Sequence, residues 1–139
     1  MKFLFQLEGE HLNSNQWAFD NGYIEGDVEI YVNGELYFSE PHVNIVELAI
    51  QLGKWLRLAV NGQLHDFTYD SMDCDDSLLR FTMQEQGVLV HSPIERQKLG
   101  ALSEGTVKKA VLGFLIELSI ALHRIGYAER LDDTIKGLV

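Results

Sequence analysis

Four aspartates stand close together between positions 70 and 76: Asp70, Asp73, Asp75 and Asp76. Carboxylate oxygens at this density are the hard ligands that Ca²⁺ and Mg²⁺ prefer. The spacing does not follow the calcium-loop template. If Asp73 is the first position, Leu78 stands where that loop needs glycine and Gln84 where it needs glutamate. We therefore predict no metal ion or other cofactor, and interpret the segment as a solvated loop or as one that docks on a protein.

A second group of polar side chains recurs at every second position from 23 to 31: Tyr23, Glu25, Asp27, Glu29 and Tyr31. This period places all five side chains on one face of a strand. Three carboxylates in line destabilise a sheet unless water or a partner's cations relieve their repulsion, and the tyrosines add the contact area of interface anchors. We predict that this row binds a partner. The alternative is the solvated outer face of an antiparallel sheet.

The remaining residues form none of the common catalytic or metal-binding motifs. The five histidines are scattered, and none forms an H-x-x-x-H or HExxH metal motif. Cys74 lies among acids that oppose thiolate formation. The sequence contains no G-x-S-x-G nucleophile motif, P-loop or dinucleotide fingerprint. We therefore predict that the protein is not an enzyme.

Charge is distributed unevenly along the 139 residues, whose net charge is −10. Residues 1–85 carry 15 Asp and Glu against 4 Lys and Arg, whereas residues 86–139 carry 6 acids against 7 bases. Such a field affects partner choice and association rate rather than fold. It disfavours nucleic acid, whose phosphates require clustered Lys and Arg, and it disfavours anionic membranes. We expect a basic protein as the partner.

Length and composition are typical of a single globular domain over residues 1–139, with 46% hydrophobic residues. The single Cys74 cannot form an internal disulfide. The opening apolar residues are interrupted by Gln6, Glu8 and Glu10, too early for a signal peptide. We therefore expect a cytoplasmic protein.

An antiparallel unit is predicted at the start of the chain. Alternating apolar residues indicate strands over 2–8 and 24–32. The dipeptide Asn33-Gly34 is a strong hairpin signal and returns the chain into a third strand over 35–39.

A helix is predicted after Pro41, which closes the hairpin. Asn44 can cap this helix, Glu47 occupies the capping-box position, and Asn61-Gly62 ends it. Its apolar residues have the spacing of one helix face: Ile45, Leu48, Ala49, Leu52, Leu56 and Ala59.

The second half repeats this order. Short strands are predicted over 66–71, 78–84 and 88–92, with a turn at Gln86-Gly87. The order βββ-α-βββ-α predicts an α+β fold with a mostly antiparallel sheet and two main helices packed on one face.

The second helix begins after its predicted cap Ser103, runs to about Ile125 and is stopped by Gly126. A short helical turn over 131–135 follows. The long helix carries apolar residues on most of its sides, among them four outside its main stripe: Leu112, Leu115, Ile116 and Ile120. Such a helix is usually buried on most sides, which favours a central core helix; the alternative is a homodimer contact.

The chain resembles a group of small, acidic bacterial proteins of the toxin-immunity type, found beside polymorphic or contact-dependent toxins. The resemblance rests on residues 26–38, GDVEIYVNGELYF, on residues 46–56, VELAIQLGKWL, and on residues 67–73, FTYDSMD. It implies an inhibitor that covers the active or substrate-binding surface of a toxin domain. The group's diversity transfers no inhibitory residues to this chain.

We therefore predict an immunity protein that binds a basic toxin domain, such as a nuclease, through the acidic row and the acidic loop. One alternative is a homo-oligomeric, non-enzymatic domain whose acidity serves solubility. Another is a protein that binds a small ligand or a metal ion.

Overall fold

The structure is a computed structural model that describes residues 1–7, 24–69, 78–126 and 129–138. It confirms the predicted α+β class and the predicted order of elements. The strands divide into two three-stranded antiparallel sheets, with strand orders β1-β2-β3 and β4-β5-β6. The elements are β1 (Lys2–Leu7), β2 (Glu25–Val32), β3 (Glu35–Asn44), α1 (Ile45–Val60), β4 (Phe67–Thr68), β5 (Arg80–Gln84), β6 (Gly87–His91), α2 (Glu104–Arg124) and α3 (Glu129–Ile135).

The hairpin between β2 and β3 turns at Asn33-Gly34, as predicted. Both residues have left-handed backbones, with φ of 54° at Asn33 and 80° at Gly34. This is the conformation of a type I′ turn, which matches the twist of the flanking strands.

Strand β3 continues past its predicted end at residue 39 and runs through Pro41 to Asn44. Its register against β2 shifts between Gly26 and Val28, and His42 in the irregular stretch has a φ of 57°. A bulge lets a strand include an extra residue and a proline, while the residues before and after the bulge stay paired with the neighbouring strand. Pro41 therefore does not end this strand.

Helix α1 begins where its cap predicts. The side-chain oxygen of Asn44 accepts a hydrogen bond from the backbone N–H of Glu47 at 3.3 Å. Every residue of the predicted apolar stripe is buried, and so is Trp55. The indole N–H of Trp55 donates to the carbonyl of His65 at 2.8 Å, and its ring meets Phe81 edge-on at 5.1 Å.

Helix α2 is a central helix that packs against β1, β6, α1 and α3. The Ser103 hydroxyl accepts from the backbone N–H of Thr106 at 3.1 Å, and Gly126 just beyond the C-cap has a φ of 80°. Phe114 is buried and stacks on Phe3 of β1 at 5.0 Å. Both sheets and all three helices contribute to one cluster of buried apolar residues.

The segment between β6 and α2 lies along the start of β3. The backbone N–H of Arg96 donates to the carbonyl of Tyr37 at 2.8 Å. The side-chain amide of Gln97 donates to the carbonyls of Leu36 at 3.3 Å and Glu35 at 3.4 Å. These contacts fix residues 92–97 against the first sheet.

The phenol of Tyr37 holds this segment from inside the core. Its side chain is fully buried, and its hydroxyl lies 2.8 Å from a carboxylate oxygen of Glu95 and 3.1 Å from the carbonyl of Val90. Burial raises the pKa of Tyr37 far above its ordinary value. The hydrogen bond and the negative charge of Glu95 raise it further.

Candidate functional site

The acidic row lies, in its described part, on the outer face of β2. Glu25 and Asp27 are exposed and Glu29 and Tyr31 are half-buried, whereas the alternate residues of the strand are buried beneath them. The alternate residues are buried because helices α1 and α2 pack on the other face of this sheet. The acidic side chains therefore point outward, as the period of two predicts. We call this surface the acidic face: Glu25, Asp27, Glu29 and Tyr31 with their outer neighbours Lys2, Leu4 and Gln6 on β1 and Leu36 and Ser39 on β3.

The carboxylates of the acidic face stand close enough to repel one another. Alternate residues of a strand lie about 7 Å apart, where two charges in water repel by about 0.6 kcal/mol. Glu29 and Glu25 each have a polar contact nearby. The Tyr31 hydroxyl donates to Glu29 Oε2 at 3.3 Å, and His42 Nδ1 lies 3.8 Å from Glu25 Oε2. Asp27 lies between these two contacts and is exposed.

Apolar side chains occupy the same face beside these acids. Leu4 pairs with Glu29 across the sheet and is 39% exposed. Leu36 pairs with Tyr31 from the other side and is half-buried. Leu4 is not among the binding residues predicted from the sequence. The alternation that predicts a strand over 2–8 places Leu4 on the face opposite to the buried Phe3, so the sequence contains the signal for its exposure.

The acidic loop and one tyrosine of the row fall outside the described residues: Tyr23, Asp70, Asp73, Asp75 and Asp76. The residues that flank the loop are described. The backbone N–H of Tyr69 donates to the carbonyl of Leu79 at 2.9 Å. The Tyr69 hydroxyl donates to the carbonyl of Asn44 at 3.4 Å, and Asn44 is the cross-strand partner of Glu25. Tyr69 itself is buried beside Val28 and Ile30, on the face of the first sheet opposite to the acidic row.

Ser119, His123 and Asp132 form a polar cluster that the sequence did not indicate. The Ser119 hydroxyl donates to Asp132 Oδ1 at 3.1 Å, and His123 Nε2 lies 3.3 Å from Asp132 Oδ2. The second ring nitrogen of His123 lies 2.9 Å from the carbonyl of Ser119. The hydroxyl is bound to the carboxylate and not to the imidazole, so this is not the relay that activates a serine nucleophile. The cluster attaches α3 to α2.

A second histidine contact lies on the other sheet. His91 Nε2 is 2.8 Å from the hydroxyl of Thr82, and both residues are half-buried. Across the part of the chain that the structure describes, no three His, Cys, Asp or Glu side chains are grouped so as to hold a metal ion. The helices in the same residues are also too short or too polar to cross a membrane.

Residues 3–124 match the model of a protein family described as a domain of unknown function (DUF7878), and the chain belongs to this family. Neither a curated protein nor a solved structure matches the sequence.

Proposed function

We propose that this member of the DUF7878 family is a cytoplasmic inhibitor of the bacterial immunity type, which binds a basic toxin domain and covers its active or substrate-binding surface. The observation that carries the proposal is the acidic face, where exposed carboxylates of β2 stand beside the exposed Leu4 and the half-exposed Tyr31.

This combination suits a cationic protein partner. Interfaces obtain most of their affinity from a few well-packed aromatic and apolar side chains, and charge complementarity adds specificity and a fast association rate. Leu4 and Tyr31 would supply the packed centre, and Asp27 and Glu29 would pair with Lys or Arg of the partner. A nuclease carries such cations because its substrate is a chain of phosphates. An acidic inhibitor can occupy the same surface.

The proposed binding set also includes the four loop aspartates, whose placement lies outside the described residues: Asp70, Asp73, Asp75 and Asp76. Their negative charge is the ground for including them, because the same cationic partner would attract them.

The test is affinity capture from the native host with two charge variants. The first carries Asp27→Lys and Glu29→Lys on the acidic face. The second, a matched control, carries Glu85→Lys and Asp133→Lys at exposed positions on the β5–β6 turn and on α3, and changes the net charge equally. We expect the wild type and the control to retain a basic protein that the first variant loses.

The captured protein must also behave as a toxin. Produced alone, it should arrest growth; produced with the wild-type chain, it should not, and the acidic-face variant should fail to protect. Equal capture by both charge variants would remove the acidic face from the interface. A captured protein whose effect on growth does not depend on the wild-type chain would overturn the inhibitor function.

A further inference from the structure

The solvent side of α2 combines a glycine, two isolated charges and an exposed isoleucine. Gly113 lies in the middle of the helix, with Lys109 one turn before it and Glu117 one turn after it. Ile120 follows on the same side and is 50% exposed. We call this surface the outer face of α2: Thr106, Lys109, Gly113, Glu117 and Ile120.

Gly113 is not explained by packing within the chain. A Cβ atom built on this residue would meet nothing within 4 Å. Gly53 of α1 differs, because its Cβ would collide with Thr134 of α3. A glycine in a helix interior costs about 1 kcal/mol of stability relative to alanine. Among the described residues, no neighbour of Gly113 packs so closely that it requires a glycine. The absent side chain would, however, let the backbone of another molecule approach the helix closely.

Lys109 and Glu117 are both exposed, and neither has an ion-pair partner within the described ranges. Their neighbours four residues away are glycine or alanine, so no pairing at i,i+4 spacing is available within the helix. Lys108, the adjacent residue, does pair in this way, with Glu104 at 3.0 Å. The outer face therefore presents one cation and one anion, placed symmetrically about Gly113.

A groove of about 400 Å³ runs between the first half of α2 and the start of β1. Phe3, Ala110 and Phe114 form its apolar part, and the charged residues Lys2, Lys109 and Glu117 also line it. The groove thus offers apolar surface together with charges of both signs, whereas Ile120 projects from the C-terminal half of the helix.

We infer that the outer face of α2 binds a second copy of this chain in a two-fold symmetric contact. Two α2 helices crossing antiparallel at Gly113 place Lys109 of each copy opposite Glu117 of the other, because both residues lie four positions from the crossing point. The same symmetry places Ile120 of each copy seven positions beyond the crossing, opposite Thr106 at the groove of the other. The contact is isologous, as closed dimers require.

Self-complementarity distinguishes this occupant from other partners. A basic or an acidic partner would be matched by one of the two charges and repelled by the other. Only a surface that carries the same pair in reverse order satisfies both, and a second copy presents that surface. The two Lys109–Glu117 contacts between the copies also offset part of the repulsion between chains that each carry a net charge of −10.

The test is a charge swap followed by sedimentation equilibrium. The wild type should sediment as a dimer of the 15.8 kDa chain. Lys109→Glu alone and Glu117→Lys alone should each shift the mass to that of the monomer, because each creates two like-charge contacts. A mixture of these two variants should dimerise, since the mixed pair restores both attractions. The double variant should dimerise on its own.

Controls separate this contact from changes in net charge or folding. Lys98→Glu makes the same charge change on the exposed segment before α2 and should leave the dimer intact. Gly113→Leu should dissociate it by blocking the approach of the helices, with an unchanged circular dichroism spectrum. A monomeric wild type, or dimers that survive both single charge variants, would overturn the inference.

Discussion

At the scale of single residues, Tyr37 has a direct consequence for stability. Its hydroxyl is shared between the Glu95 carboxylate and the Val90 carbonyl inside the core. Tyr37→Phe removes this donor without changing the shape of the ring. We expect the free energy of unfolding at pH 7, measured with urea, to fall by about 1–2 kcal/mol. The matched Tyr31→Phe variant loses a hydrogen bond to Glu29 on the acidic face. It should change the free energy of unfolding by less than about 0.5 kcal/mol.

The same residue predicts how stability depends on alkaline pH. The pKa of Tyr37 is raised in the folded protein, whereas in the unfolded chain it is close to 10. The folded state therefore holds this proton more tightly. Its contribution to stability is complete below pH 10 and is lost as the pH rises from 10 towards the raised value. Urea unfolding between pH 9 and pH 11 should show a steeper loss for the wild type than for Tyr37→Phe. Parallel curves would contradict the assignment.

Residue environments were only partly predictable from the sequence. The outer placement of Glu25, Asp27 and Glu29 follows from a period of two, which is a local property of any strand. The role of Tyr37 does not, because consecutive residues Tyr37 and Phe38 are both buried at an irregular point of the register. Its partner Glu95 lies far away in the chain, and no local pattern connects them.

At the scale of elements, the contact between α1 and α3 depends on Gly53. We expect Gly53→Ala to lower the free energy of unfolding by about 0.5–2 kcal/mol, because the collision of the new methyl group with Thr134 outweighs the helix propensity that alanine gains. Gly113→Ala is the matched control: it adds the same methyl group in open space and should raise stability by about 0.5–1 kcal/mol. Thermal unfolding at low protein concentration measures both. A stabilised Gly53→Ala variant would show that Thr134 of α3 does not pack closely against Gly53 of α1.

The attachment of α3 gives a second prediction at this scale. Asp132→Ala removes the acceptor of the Ser119 hydroxyl and the anion beside His123. The Asp132 carboxylate and the His123 imidazole are about half exposed, although Ser119 is buried, so we expect a modest loss of stability. Amide exchange over residues 129–138 should accelerate by about threefold to tenfold, with the β2–β3 hairpin unchanged. The neighbouring Asp133→Ala variant should exchange like the wild type. Acceleration throughout the chain would instead indicate global destabilisation.

Element boundaries set by local chemistry were predicted well. Asn44 and Ser103 cap α1 and α2 through their own side chains, and Asn33-Gly34 forms its turn within four residues. The continuation of β3 through Pro41 and the division into two sheets were not predicted. Both depend on a bulge and on pairing between strands, which a single sequence does not display.

At the scale of the whole molecule, the uneven charge distribution should make stability dependent on salt. Most of the negative charge belongs to residues 1–85, so folding brings like charges together. Raising the ionic strength from 0.01 M to 0.15 M shortens the Debye length from about 30 Å to about 8 Å. We expect the melting temperature to rise over this range. The Asp27→Lys/Glu29→Lys variant should gain less from salt, because part of the repulsion is already gone. A salt-independent melting temperature would show that the acids are well separated.

The segment of residues 92–97 has a consequence for behaviour at high concentration. A strand at the border of a sheet exposes hydrogen-bonding groups on which another chain can add a strand, the first step towards fibril growth. Arg96 and Gln97 occupy the carbonyls of Glu35, Leu36 and Tyr37 at the start of β3. A strand from another molecule could pair with the start of β3 only after it had displaced residues 92–97. These residues belong to the same chain as β3 and so are always present beside it. The protein thus carries a built-in protection against templated aggregation at this border.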